Sequence, residues 1–291
     1  MRQFQSVFGE FHLLQRRLLL GKLDPYSLLV LRFGIGSLFL LFLLQMHRSR
    51  LRISVKYLPH IIVLGILGVF VHQILHATAL LTIDASSAGW LISFSPIFTV
   101  ILSITFLHEK INITKAAGMV LAIIGVLLVT TTRSGQSFQF AINIGFLLMI
   151  LSTLNWAVYS VLLKSLKIPY PPLLVTFYMC FILTTPFVFR NKGWESLSLL
   201  TQTEWAHLLF LGIFVSGVAY WYWGKALEGL EASKVSMFLY LEPLATLFAA
   251  ILLLQEKVLI LSVAGGIIII IGVIISNGQL VPKLYSLFKK K

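Results

Sequence analysis

Nine apolar runs of about twenty residues follow one another along this chain, separated only by short polar breaks. Crossing the hydrocarbon core of a bilayer, roughly 30 Å thick, takes about 20 apolar residues as a helix, and in lipid each helix satisfies its own backbone hydrogen bonds. The runs therefore predict an all-α polytopic membrane protein with nine clear transmembrane helices. They cover residues 26–46, 58–82, 86–106, 115–132, 143–163, 172–190, 205–227, 234–254 and 258–276.

The composition agrees with this fold class and argues against a soluble domain and against a nucleic-acid-binding protein. Of the 291 residues, 58% are hydrophobic and 11% are charged, and the mean hydropathy is +0.94. Soluble domains have about 45–50% apolar and about 25% charged residues. The net charge of +13 does not indicate a nucleic-acid partner, because most Lys and Arg fall in the gaps between apolar runs. The single cysteine, Cys180, excludes a disulfide within the chain, and the sequence predicts no metal and no cofactor.

The distribution of basic residues predicts the orientation in the membrane. One side holds the loop 47–56 and the tail 289–291, both rich in Lys and Arg, and the other side holds far fewer basic residues. Cytoplasmic loops carry the excess of Lys and Arg in membrane proteins. We therefore expect the basic side, including the C-terminus, to be cytoplasmic.

A tenth apolar segment, residues 4–20, contains Glu10, His12, Arg16 and Arg17. Each charge near a helix centre costs about 2.5–3.5 kcal/mol of insertion free energy. The segment is therefore expected to insert poorly alone. It is either a truncated first helix or a degenerate one that is held in place by packing against the other helices.

The chain contains an internal repeat with an offset of 147 residues. Residues 79–126 align without a gap on residues 226–273. We call two residues at this offset counterparts. Chance alignment of two leucine-rich spans would match leucines, whereas here prolines, glycines and charged residues match. The matched positions include Ala85-Ser86 with Ala232-Ser233, Pro96 with Pro243, Glu109-Lys110 with Glu256-Lys257, Gly118 with Gly265, and Gly125 with Gly272.

The repeat predicts two halves of opposite orientation. If residues 4–20 count as a span, each half has five spans, and an odd number makes the second half enter the membrane from the opposite face. We expect a first repeat over residues 1–135, a second over residues 143–277 and a basic cytoplasmic tail over residues 278–291. Such inverted repeats are typical of secondary transporters, whose halves rock about a substrate site near the membrane midplane.

Several motifs together resemble the EamA family of the drug/metabolite transporter superfamily. The segment "ATALLTIDASSAG" precedes a span with a central proline that leads to "FLHEK", and the span "AAGMVLAIIGVLLV" follows. The second half repeats them as "GKALEGLEASKVS", "EPLATLFAAILLLQEKV" and "AGGIIIIIGVII", and "LDPYSLLVLRF" places Arg32 where the family usually has an arginine. The resemblance extends from about Leu20 to Ser276. It implies a ten-helix carrier of the bacterial inner membrane, with cytoplasmic termini, that moves small metabolites such as amino acids, often outward.

Two prolines interrupt apolar spans and are candidate hinges. Pro96 and Pro243 are counterparts, and each removes one helical hydrogen bond. A membrane helix tolerates this where the freed carbonyl group faces protein or a water-filled cavity. We expect the two prolines to line the transport pathway as hinges, and a packing kink without ligand contact is the alternative.

One carboxylate, Glu242, lies inside an apolar span. It is about eight residues from the start of its run, too deep at about 1.5 Å per residue to be wholly interfacial. Such a group is a candidate proton carrier or counter-ion for a cationic substrate. Its counterpart is Ser95, which we also expect to face the cavity. An ion pair of Glu242 with Lys225 or Arg32 is the structural alternative.

Two histidines and several aromatic residues complete the predicted cavity. His72 and His76 are four residues apart on one helical face, and histidine titrates near physiological pH. They are expected to relay protons or bind substrate, unless they only join neighbouring helices. Trp223, the counterpart of His76, and Tyr220 are expected to face the cavity rather than lipid. Further candidates are Trp90, Trp156, Tyr159 and Tyr240.

The sequence thus predicts a secondary transporter that binds a small-molecule substrate between its repeats, as a monomer or homodimer in the bilayer. Proton coupling and uncoupled facilitation are both open. The chain has Phe8-Gly9 where the first helix of the family usually has a "WG"-like pair, so a non-transporting remnant is a further alternative. A membrane-embedded lipid enzyme is least favoured, because the chain has no nucleophile elbow, HExxH motif, phosphate loop or Asp-rich run.

Overall fold

The computed structural model describes residues 19–20, 22–48, 51–83, 88, 91–134, 144–188, 200–242 and 260–277, and every regular element among them is helical. Each helix coincides with one of the nine predicted apolar runs, although the eighth is described only as far as Glu242. The helices are α1 Pro25–Met46, α2 Val55–Ala79, α3 Ser95–Leu107, α4 Ile113–Ser134, α5 Ile144–Ser165, α6 Pro172–Val188, α7 Gln202–Gly229, α8 Ala232–Met237 and α9 Ile260–Asn277.

Four of these helices, α1, α2, α5 and α7, are long and apolar enough to cross a membrane, and α3, α4, α6 and α9 contain shorter apolar stretches. The predicted class, an all-α polytopic membrane protein, is confirmed. Residues 4–18, where the tenth span was predicted, lie outside the described residues.

Local sequence signals fix where the long helices begin. The Asp24 side chain accepts hydrogen bonds from the backbone N–H groups of Tyr26 and Ser27, at 2.9 and 3.1 Å, and Pro25 occupies the first turn of α1. Thr201 and Glu204 form a capping box at the start of α7. Such caps satisfy N–H groups that have no acceptor within the helix.

Helices α2 and α7 share an irregularity at counterpart positions. A π-helical segment occupies Ile66–Val71 in α2 and Leu211–Val218 in α7, and the two segments end at counterparts. A π-helical segment accommodates an extra residue in a helical turn, and such segments are frequent at functional sites. The repeat therefore extends to details of the backbone.

Helices α4 and α9 pack backbone against backbone through counterpart glycines. A Cβ atom on Gly118 would lie 2.5 Å from the carbonyl oxygen of Gly272, and one on Gly125 would lie 2.6 Å from that of Gly265. The lower-numbered glycine of one helix faces the higher-numbered glycine of the other, so the helices run antiparallel. Gly265 is the counterpart of Gly118, and Gly125 is the counterpart of Gly272. The contact between Gly118 and Gly272 is therefore equivalent to the contact between Gly265 and Gly125, as a twofold relation between the halves requires.

The same relation holds where the two halves meet at α1, α2, α6 and α7. The Gly212 backbone approaches the carbonyl oxygen of Arg32, and its counterpart Gly65 approaches the carbonyl oxygen of Met179, the counterpart of Arg32. Added Cβ atoms would lie 3.0 and 3.3 Å from these oxygens. The halves are thus related by an approximate twofold axis through the centre of the bundle.

The antiparallel helices give the bundle two different ends. We call the end that carries Lys56, Lys110, Lys164, Lys167 and Lys234 the basic end, and the opposite end the distal end. Helices α1, α3, α5, α7 and α9 run towards the basic end, and α2, α4, α6 and α8 run away from it.

Candidate functional site

A buried polar network joins α1, α2 and α7 inside the bundle. The Arg32 side chain is almost fully buried, and its Nη2 atom donates to Ser216 Oγ at 3.2 Å. Its Nη1 atom lies 3.4 Å from Gln73 Oε1. Gln73 Nε2 donates to the Tyr220 hydroxyl, which donates to the carbonyl oxygen of Gly68, both at 2.7 Å. Because each buried polar group left unpaired costs about 1–3 kcal/mol, this network fixes how the three helices sit against one another.

The π-helical segments create this network locally. Gly68 lies in the segment of α2 and Ser216 in that of α7. A Cβ atom on Gly68 would lie 2.7 Å from the Tyr159 ring, so the absence of a side chain lets aromatic rings reach the backbone here. Gln73 and Tyr220 are counterparts, and their hydrogen bond therefore lies on the axis that relates the two halves.

Beside the network, four rings surround Trp156 of α5. Aromatic rings prefer tilted or edge-to-face arrangements at such separations, with about 0.5–1.5 kcal/mol per pair beyond area burial. The centroids of His72, Tyr159, Tyr220 and Trp223 lie 4.9, 5.1, 5.3 and 5.3 Å from that of Trp156. The structure thus brings together five of the residues predicted for the cavity, and we call them the aromatic cluster.

Hydrogen bonds fix two members of the aromatic cluster. His72 Nδ1 lies 2.9 Å from Ser152 Oγ, and Trp223 Nε1 donates to Ser160 Oγ at 3.0 Å. Both serines belong to α5, which joins the cluster to α2 and α7. His76 is buried one turn further along α2, with its ring 5.9 Å from that of His72.

A cavity of about 770 Å³ opens at the basic end between α3, α5, α6 and α7. This size is typical of small-molecule sites. The wall carries charges of both signs as well as apolar groups, and its lining residues are Phe106, Leu107, Glu109, Leu163, Lys164, Ser165, Lys167, Ile168, Tyr170, Pro172, Val175, Thr176, Met179, Gly224, Leu227, Glu228 and Glu231.

The cavity reaches the aromatic cluster but is not lined by it. Met179, in the cavity wall, belongs to the same apolar core as Tyr159 and Tyr220, and Gly224 in the wall directly follows Trp223. None of the described residues that the sequence predicted to face the substrate cavity lines the wall of this cavity. The cluster therefore stands behind the cavity, towards the centre of the bundle.

Ion pairs and capping bonds connect the two halves at the basic end. The Glu109 carboxylate, just after α3, accepts from the backbone N–H groups of Ala232 and Ser233 at 2.6 and 3.0 Å, and so caps α8. The Lys115 ammonium group donates to Glu231 and to Ser233 Oγ. Burial raises the pKa of the Glu231 carboxyl, but Lys115 and Lys234 outweigh burial and hold that pKa below its usual value.

Four predicted residues lie on the two interrupted helices. Ser95 begins α3 directly after a turn at residues 93–94, with Pro96 in the first helical turn. Tyr240 lies in a 3-10 segment that follows α8, and Glu242, partly buried, comes directly after that segment. The hydroxyl groups of Ser95 and Tyr240 are buried and have no hydrogen-bond partner among the described residues. Trp90 and Pro243 lie outside the described residues.

Gln73 and Ser216 were not among the residues selected from the sequence, and Arg32 was selected only as the usual arginine of the family and as an alternative partner of Glu242. Two signals were available: each is a polar residue inside an apolar run, and Gln73 is the counterpart of Tyr220. Lys225, which the sequence offered as an ion-pair partner of Glu242, has its ammonium group 5.9 Å from the centroid of the Tyr222 ring.

The fold and the cavity define the class of protein to which the chain belongs. The chain is a polytopic helical membrane protein, built from two related halves, with a small-molecule-sized cavity between its helices. A family model described as the EamA-like transporter family matches residues 11–131 and 143–278. The chain belongs to this family and is a membrane transporter of the EamA type.

Individual relatives agree with this assignment. An uncharacterized transporter of Archaeoglobus fulgidus is 32% identical over 259 residues, which cover 87% of this chain and 88% of that protein. A probable terminal-alkyne amino-acid exporter of Streptantibioticus cattleyicolor is 26% identical, with 76% and 73% covered. One crystal structure matches with a TM-score of 0.74 at 18% identity and covers 94% of this chain and 98% of that one. At this identity the match shows the fold.

Proposed function

We propose that the chain is a secondary transporter that moves amino acids or related small metabolites by alternating access. The observation that carries the proposal is the cavity of about 770 Å³, which is open at one end of the bundle and lies between helices of both halves. Its wall offers Lys164 and Lys167 to a carboxylate and Glu228 to an ammonium group. The relative named as an amino-acid exporter supports this substrate class.

The proposal includes the division of the chain and its orientation. The repeats are residues 1–135 and 143–277, and the basic tail is residues 278–291. The basic end is cytoplasmic, in the inner membrane of a bacterium, because Lys and Arg are concentrated there. The cavity then opens to the cytoplasm, which is the side from which an exporter takes up its substrate.

We place the substrate at the inner end of the cavity, against the aromatic cluster. The hydroxyl groups of Ser95 and Tyr240, which have no hydrogen-bond partner among the described residues, are additional candidate contacts. Glu242, at the break that follows α8, is the candidate proton carrier.

The test is transport by the purified chain in proteoliposomes against a panel of amino acids and related metabolites, with and without a pH gradient. Saturable transport of at least one compound, absent from empty liposomes, is the expected result. A panel that contains no transported compound would contradict the proposal.

Coupling is tested with Glu242→Gln, and transport by the same variant without a pH gradient is the control for substrate binding. If Glu242 carries the proton, Glu242→Gln abolishes the response to the pH gradient but keeps transport without it. A response that survives in Glu242→Gln would show that another group carries the proton, and a parent protein without any response would favour uncoupled facilitation.

A further inference from the structure

The loop between α1 and α2 carries a concentrated positive charge at the basic end of the bundle. We call residues 47–56 the basic loop; it contains no acidic residue and four Lys or Arg residues, which are Arg48, Arg50, Arg52 and Lys56. The side chains of Arg48, Arg52 and Lys56 are exposed, and none of the three forms an ion pair within the described part of the chain. Their charge therefore faces the surroundings of the protein.

Exposed apolar side chains stand next to these cations in the basic loop. Leu51 is 36% exposed and Val55 is 80% exposed. Each directly precedes a cation, Arg52 or Lys56. Because the loop joins two membrane helices, it lies at the level of the lipid headgroups, where apolar side chains enter the acyl region and cations meet phosphate groups. A soluble anion would make no use of the two apolar side chains, so the combination favours a phospholipid.

Two tyrosines hold the basic loop in this arrangement. The Tyr178 hydroxyl donates to the carbonyl oxygen of Leu51 at 2.6 Å. The backbone N–H group of Ser54 donates to the Tyr170 hydroxyl at 2.8 Å. Ile53, between them, packs against the same apolar core as both tyrosines. The loop is thus ordered before any ligand arrives, which lowers the entropic cost of binding.

The second half of the chain has neither the cations nor the tyrosines at the equivalent positions. The counterparts of the three exposed cations and of the two tyrosines are, in chain order of the latter five, Glu195, Leu199, Thr203, Leu23 and Leu31. The fold of the repeat therefore requires neither feature. An excess of Lys and Arg is enough to orient the chain in the membrane, and orientation does not require a loop that is held by tyrosine hydroxyls. The two features occur together at one end only, as a ligand in one leaflet would require.

We propose that the basic loop is a preformed binding site for the headgroup of an anionic phospholipid, such as phosphatidylglycerol, in the leaflet at the basic end. The guanidinium group of Arg52 and the ammonium group of Lys56 bind the phosphate group, and Arg48 adds to the positive potential. Leu51 and Val55 contact the acyl chains. None of the three cations lines the cavity, so this site is separate from the proposed substrate site.

Lipid binding is measured by native mass spectrometry of the full chain in detergent, titrated with phosphatidylglycerol or with phosphatidylcholine of the same acyl chains. Each Lys or Arg near an anionic surface is worth about fivefold in affinity. We therefore expect the first phosphatidylglycerol molecule to bind at least about fivefold more tightly than phosphatidylcholine. Equal affinities for the two lipids would overturn the inference.

Arg52→Gln combined with Lys56→Gln tests the cations. This double variant should bind phosphatidylglycerol no more tightly than phosphatidylcholine, while its affinity for phosphatidylcholine stays unchanged. The matched control is Lys110→Gln combined with Lys225→Gln, which removes two exposed charges near the same end but outside the loop. The control should change the affinity for phosphatidylglycerol by less than about twofold, because charges outside the site are screened. Equal losses in both double variants would indicate diffuse attraction by net charge and overturn the site.

Tyr178→Phe tests whether the site is preformed, because it keeps every charge and removes the donor to Leu51. We expect several-fold weaker binding of phosphatidylglycerol, since the loop must then be ordered when the lipid binds. Tyr222→Phe removes an exposed hydroxyl elsewhere and should leave this affinity unchanged. Binding by Tyr178→Phe as tight as that of the parent protein would overturn the preformed site.

Glycerol phosphate in large excess distinguishes a lipid from a soluble anion. Bound phosphatidylglycerol should remain on the protein, because glycerol phosphate has no acyl chains to contact Leu51 and Val55. Displacement of the lipid would show that the loop binds the phosphate group alone and would overturn the assignment. Transport does not enter any of these measurements, so their outcome is independent of the proposed function.

Discussion

Glu109 shows how one charged side chain can have a structural role at the end of a membrane helix. Its carboxylate accepts from two backbone N–H groups and from the Ser233 hydroxyl, so it caps a helix of the other half of the chain. In the sequence, Glu109-Lys110 follows an apolar run and recurs as Glu256-Lys257. The sequence could not predict that the N–H groups of Ala232 and Ser233 donate to this carboxylate, because these residues are more than a hundred positions away.

We expect Glu109→Ala to lower the free energy of unfolding by about 1–3 kcal/mol, because the N–H groups of Ala232 and Ser233 lose their acceptor. Thermal unfolding of the purified protein in detergent measures this. Glu228→Ala, which removes an exposed carboxylate at the same end, should change stability by no more than about 0.5 kcal/mol. Equal losses for the two variants would show that Glu109 contributes only its charge.

Tyr220 links side chains and backbone in the buried network. Tyr220→Phe leaves Gln73 Nε2 without its acceptor and the carbonyl group of Gly68 without its donor. We expect thermal unfolding to show a loss of about 1–3 kcal/mol. Tyr222 lies two residues further along the helix and its side chain is exposed, so Tyr222→Phe should have little effect on stability. A stable Tyr220→Phe variant would mean that this hydroxyl is not needed to hold α2 and α7 together.

At the scale of helices, α4 and α9 show why glycines recur at equivalent places in the two halves. Lipid tails are as apolar as leucine side chains, so membrane helices associate through close packing, which small residues permit. Gly118 and Gly125 of α4 face Gly272 and Gly265 of α9 with almost no space between the backbones. The sequence repeat marked these four glycines, and the structure shows that they pair with one another.

The contact between α4 and α9 is tested by a single methyl group. Gly118→Ala should lower stability by about 1–3 kcal/mol, because the new Cβ atom would lie 2.5 Å from the Gly272 backbone. Gly34→Ala in α1 is the matched control: a Cβ atom there meets nothing within 4 Å. The control should raise stability by about 0.5–1 kcal/mol through better helix propensity. If both variants gain stability, α4 and α9 do not pack as described.

Helix boundaries were more predictable than breaks within helices. Length and composition placed the long spans, and Pro25 and Pro172 marked the start of α1 and α6. The π-helical segments of α2 and α7 were not anticipated, because one extra residue per turn leaves a continuous apolar run unchanged. The break before Pro96 agrees with the position of the proline, and its role as a hinge stays a prediction.

For the molecule as a whole, orientation in the membrane is the property that a direct measurement can decide. In the Cys180→Ala chain, Ser54→Cys reports on the basic end and Leu81→Cys on the distal end; both positions are exposed. In intact cells, an impermeant maleimide should label Leu81→Cys and not Ser54→Cys, because the excess of Lys and Arg keeps the basic end inside. The reverse pattern would contradict both the orientation and the uptake side proposed for the cavity.

The amino-acid sequence already contained the fold class, the helix positions and the twofold relation between the halves. These follow from local and periodic properties: hydrophobic length sets a transmembrane helix, and an offset of 147 residues relates two copies of one pattern. It also pointed to the aromatic residues around Trp156, because polar and aromatic residues stand out within apolar spans.

Only the packed structure showed that a cavity opens at the basic end, while five described counterparts of its lining residues are buried in one apolar cluster at the distal end. The two halves have related sequences, so sequence similarity cannot say which copy is closed and which is open. That choice depends on the free energy of the whole assembly, in which Leu20 is buried and its counterpart Lys167 remains in water. One sequence pattern is compatible with both arrangements.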